Sequence, residues 1–156
     1  MAMASQGMLE ESQCWKVSGV RTAADFFRAV SLLVPDATHM FLEGSPDSDI
    51  KALLVNAADD VDYSAPTGTI WSWPQKTQRF SVRASSELLT RLSERASNHA
   101  EPEICDHVHF YRDQEALLQW FDAFSEPLLI SKAVARERVE RFASAVGGAL
   151  SEGADG

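Results

Sequence analysis

Cysteine is scarce in this chain, with Cys14 and Cys105 the two in 156 residues. Two thiols cannot build a disulfide framework, so both are expected to be free and the fold must rest on a packed core. Long apolar runs are missing as well. Nothing approaches the roughly 18 residues that a membrane-spanning helix needs. The opening "MAMASQGMLEESQCW" has neither the basic flank nor the apolar block of a secretory leader. A cytoplasmic protein without membrane association is expected. The glycines are scattered, at Gly19, Gly44 and Gly68 among others, and form no phosphate-cradling loop, nucleophile elbow or dinucleotide fingerprint. Nucleotide-dependent chemistry has no support.

Positive charge is in short supply too. Against 23 acidic residues stand 14 basic ones, a formal charge of −9, and the pI is about 4.8. The bases of "VARERVERF" alternate with Glu137 and Glu140, which makes i,i+4 ion pairs on a solvated helix face and no basic stripe. Nucleic-acid phosphates are repelled by such a surface, whereas a basic protein partner is complementary to it.

What the chain does have is the composition of one globular domain: 45% hydrophobic and 24% charged residues, at a length that buries its own core. Residues 13–148 are read as that domain, with 1–12 and 149–156 as flexible termini. In "RTAADFFRAVSLLVP", Thr22 is placed to cap a helix whose stripe is Phe26, Ala29, Val30 and Leu33. "SPDSDIKALLVNAADD" offers Ser45 as a cap and Pro46 as first helical residue, followed by Ile50, Leu53, Leu54 and Ala57. Two more amphipathic helices follow, one with Leu88, Leu89, Leu92 and Ala96 inward and one with Ala135, Val139, Phe142 and Val146, the latter capped by Ser131. "THMFLEG", "RFSVR" and "PLLIS" read as short strands, and "ICDHVHFY" with "ALLQWFDAF" as a β-hairpin around "RDQE". The expected class is α+β: a single two-layer domain with a mixed, mostly antiparallel sheet, a C-terminal β-hairpin and about four packed helices.

Residues 104–113, "ICDHVHFYRD", carry the densest group of reactive side chains. Strand alternation puts Cys105, His107, His109 and Tyr111 on one face and Ile104, Val108 and Phe110 on the core face. All four polar residues cannot serve one ion: Cys105 and His109 lie roughly 13 Å apart along a strand, beyond the roughly 11 Å that a Cys–metal–His bridge spans. A zinc site here needs His107 and His109 plus an outside ligand, either His39 or Glu43 from the early strand. A nucleophilic Cys105 lacks a cationic neighbour to lower its thiol pKa. In "TIWSWP", Trp71 and Trp73 share a face, an arrangement that can anchor a partner or roof the core. The acids Asp47 and Asp49 belong to a helix start, and Asp59, Asp60 and Asp62 to a polar loop, where solvation explains them.

Two functional readings result. The first is a small acidic binding protein without catalytic activity, an inhibitor or immunity-like partner of a basic protein, with Trp71, Trp73, His107, His109 and Tyr111 as the contact residues and no cofactor. The alternative is a zinc-binding protein or metal-dependent hydrolase built on His107, His109 and His39.

Overall fold

A computed structural model describes residues 9–62, 78–99, 106–123 and 125–152. Their elements are a 3-10 turn (Glu11–Gln13), β1 (Cys14–Ser18), α1 (Ala23–Leu33), β2 (His39–Gly44), α2 (Ser48–Ala57), β3 (Ala58–Asp62), β4 (Gln78–Arg83), α3 (Ser86–Ala96), β5 (His107–Arg112), β6 (Glu115–Trp120), β7 (Leu128–Ser131), α4 (Arg136–Val146) and β8 (Ala149–Glu152). The strands form one eight-stranded sheet in the order β3-β4-β2-β5-β6-β7-β1-β8. Every pairing among the described residues is antiparallel, so the α+β class holds, and the expected mixture of strand directions does not occur among them. β2 and β3 run the same way with β4 between them, and α2 makes the crossover that joins them.

The four helices cover one face of the sheet because their apolar stripes match its alternation. Phe26, Val30 and Leu33 of α1, Ile50 and Leu54 of α2, Leu88 and Leu92 of α3, and Val139 and Phe142 of α4 join Met40, Leu42, Phe80, Val82, Val108, Phe110, Leu118, Trp120 and Ile130 in one core. Phe26 sits at its centre, with ring centroids 5.0 Å from Trp120, 5.1 Å from Phe27 and 6.1 Å from both Phe110 and Phe142. Capping defines two helix starts. Thr22 accepts from the Asp25 N–H and Ser85 from the Leu88 N–H, each satisfying a donor that the first turn leaves open.

Several boundaries differ from expectation for local reasons. The first helical bond of α2 runs from the Lys51 N–H to the Asp47 carbonyl, which puts the cap at Asp47 and leaves Ser45 and Pro46 outside the helix. Ser131 does not cap α4: its hydroxyl accepts from the Ala133 N–H, and the helix starts after Ala135 with no side-chain cap. Asp59, Asp60 and Asp62 lie in edge strand β3 and not in a loop. Residues 149–152, read as part of a flexible tail, are β8. Gly147 ends α4 at φ +73°, and a Cβ on Gly148 would come within 2.6 Å of the Ser18 carbonyl oxygen. The two glycines therefore form the turn that lays β8 against β1. In the hairpin, Phe110 pairs with Leu118 and Tyr111 with Ala116. Leu117 is the extra residue of a β-bulge, and it joins Leu118 in the core.

Candidate functional site

β5 lies between β2 and β6, with His107 opposite Glu43, His109 opposite Phe41 and Tyr111 opposite His39. Val108 and Phe110 are fully buried on the helical side, so His107, His109 and Tyr111 occupy the other face, as alternation requires. There they form a continuous row. Phe41 stacks on His109 at 6.2 Å, His109 on His107 at 6.5 Å, and Phe121, just past β6, lies across both imidazoles at 4.7 and 5.8 Å. Beside the row, Gln119 is buried and bridges two groups: its Nε2 donates to the Tyr111 hydroxyl at 3.2 Å and its Oε1 accepts from the Leu9 N–H at 2.8 Å. The segment before β1 is thereby tied to this face of the sheet.

The imidazoles are wired in a way that decides their chemistry. The Trp120 N–H donates to His109 Nδ1 at 3.2 Å, and the Asp122 N–H donates to His107 Nδ1 at 3.0 Å. Both Nδ1 atoms must present a lone pair, so each neutral ring carries its proton on Nε2. Ligation through Nδ1 is blocked by the backbone donor. Ligation through Nε2 would move the proton to Nδ1, directly against that donor. His39 gives no help, since it sits opposite Tyr111 and its Nδ1 is 2.9 Å from the Thr38 hydroxyl. Glu43 is engaged by Arg79 at 3.3 Å. The set His107, His109 and His39 is thus not brought together as a metal site. Burial, followed by the neighbouring His107, pushes His109 down to about 4, so it is a neutral ring at pH 7.

At the edge of the row the chemistry changes. Phe121 is 36% exposed, a high value for a large apolar ring in this chain. His107 and Phe41 are half-buried, and the exposed Asp106 and Asp122 flank His107. The backbone holds these together: the Asp106 N–H donates to the Glu43 carbonyl, and the Ala123 N–H donates to the Asp106 carbonyl. The contact residues Trp71 and Trp73, and Cys105, lie outside the described residues.

A second constellation forms at the far side of α2. Asp47 and Asp49 occupy the helix start, where free N–H groups and the helix dipole favour carboxylates. His99 comes from the turn that ends α3, where the Asn98 and His99 N–H groups fold back onto the Arg95 and Ala96 carbonyls. Its Nε2 lies 2.7 Å from Asp49 Oδ1, and its Nδ1 lies 3.5 Å from Asp47 Oδ2. That hydrogen bond holds the Asp49 carboxyl below its usual value. Among the described residues, this is the group of three whose possible ligand atoms all lie within 4.8 Å of one another. Sequence reasoning read the two aspartates as solvated acids of a helix start and missed the histidine, which stands 50 positions from Asp49 with no local spacing to mark it. No helix among the described residues is long and apolar enough to cross a membrane. No family model, curated protein or solved structure matches the chain.

Proposed function

We propose that the chain is a binding protein with no catalytic centre of its own, which holds a basic protein partner, in the manner of an inhibitor, against the face of its sheet opposite the four described helices. The observation that carries this reading is the row of Phe41, His109 and His107 with the exposed Phe121 lying across its imidazoles and the exposed Asp106 and Asp122 beside His107. Aromatic side chains bring large contact area at small entropic cost, and such residues concentrate binding energy in interfaces. A formal charge of −9 favours encounter with a cationic surface. The wiring of both histidines through Nδ1 speaks against their use as metal ligands and leaves each Nε2–H as a donor.

The test is site-specific photo-crosslinking. A photoreactive residue at position 121 is compared with one at Leu32, an exposed apolar residue of α1 on the helical side, 47% accessible. The expected result is a single adduct from position 121, with a protein of basic pI, that weakens as salt is raised. Equal labelling from both positions, or an acidic partner, refutes the reading.

A further inference from the structure

We propose that Asp47, Asp49 and His99 bind one divalent first-row transition ion of the zinc class, with one imidazole and two carboxylates as protein ligands and water completing the shell. This site is separate from the aromatic face and does not depend on it.

Acidic residues at a helix start are ordinary. What sets this group apart is an imidazole delivered from another helix and inserted between the two carboxylates. His99 is 12% exposed, while Asp49 and Asp47 are 36% and 53% exposed, so the group has a fixed wall and an open side for water. Metal bonds of about 2.0–2.2 Å place two ligand atoms on one ion roughly 3–4 Å apart. The Nε2–Oδ1 separation of 2.7 Å is close to that range already, and the whole triad lies within 4.8 Å. Closing onto an ion therefore takes side-chain shifts of about 1 Å.

The donor set selects the class of ion. A site made only of oxygens suits calcium or magnesium, while adding an imidazole moves preference to zinc and its neighbours. The ion takes the Nε2 lone pair, and the neutral imidazole carries its one proton at Nδ1. The contrast with His107 and His109 is direct, because Nε2 of His99 faces the Asp49 carboxylate at 2.7 Å, whereas the Nδ1 atoms of His107 and His109 face backbone N–H groups.

Calorimetric titration of the full chain with zinc chloride at pH 7.5, after removal of any tag and of adventitious metal by chelator, tests the proposal. One equivalent should bind saturably. His99→Gln and Asp49→Asn should each weaken binding by at least about tenfold, and His107→Gln should leave it unchanged. Cobalt(II) gives a second readout, a visible absorption band that His99→Gln abolishes. Should His99→Gln or Asp49→Asn fail to fold, Asp47→Asn, at the most exposed of the three side chains, carries the test and should also weaken binding. Absence of saturable binding, or binding that survives these substitutions, overturns the site and leaves His99 as a hydrogen-bonded strap between two helices. Loss of zinc binding would leave the crosslinking result at position 121 untouched, so the two ideas stand or fall separately.

Discussion

His109 and His99 are both mostly buried imidazoles, yet their surroundings give them opposite characters. His109 is walled by Phe41, His107 and Phe121 and accepts a backbone N–H. Burial, followed by the neighbouring His107, favours the neutral ring there. His99 lies between two carboxylates, and its ring lowers the carboxyl of Asp49. Burial alone therefore says little about what a histidine does. The partner at each ring nitrogen decides: a backbone donor fixes a neutral, structural ring, and a carboxylate leaves a ring that can hold a proton or an ion.

Acid should separate the two sites most strongly. His109 titrates at about 4 in the folded protein and near 6.5 once unfolded, so the unfolded chain takes up the proton first. The stability that this ring contributes is full above about pH 6.5 and falls as pH drops toward about 4, by about 3 kcal/mol, after which both states are protonated. Urea denaturation at pH 7 and pH 4 measures this, and His109→Gln should remove most of the difference. Equal acid loss in wild type and variant would break the contrast. A smaller effect is expected from His99→Gln, a drop in melting temperature of roughly 2–4 °C. Asp49 should then return upward toward its ordinary carboxyl range in an NMR titration; an unmoved Asp49 would mean that His99 does not govern it. Phe121→Ala should cost least, at most about 1 kcal/mol by the same denaturation assay. If it costs several times that, the ring is a structural roof for His109 and no docking residue.

The helices were legible because periodicity is a local signal, and at Thr22 the cap was legible too, whereas the caps read at Ser45 and Ser131 are not formed. The alternation of residues 107–111 likewise predicted which face His107, His109 and Tyr111 would take. β1, β3 and β8 escaped notice for a physical reason. β3 and β8 are edge strands of five and four residues, which need only one neighbour and carry acids or small residues where a central strand would be apolar. The wiring of the histidines was not legible either. It depends on where the backbone N–H groups of Trp120 and Asp122 point after the hairpin has folded, and the bulge at Leu117 sets that register. His99 reaches Asp49 only through the packing of α3 on α2, a contact no spacing rule encodes.

The position of β1 has a consequence for synthesis. Its partners are β7 and β8, so Cys14 faces Ser131 and Trp15 faces both Ile130 and Glu152. On the ribosome, β1 emerges ahead of its partners β7 and β8 and waits until more than 100 residues have followed it. Trp15 and Val17 are apolar side chains that face the core, and until β7 arrives they have no sheet to join. Closing so long a loop makes this a late and slow step. A nascent chain stopped before residue 128 holds a half-sheet with an adhesive strand left over, which is the species a chaperone would meet.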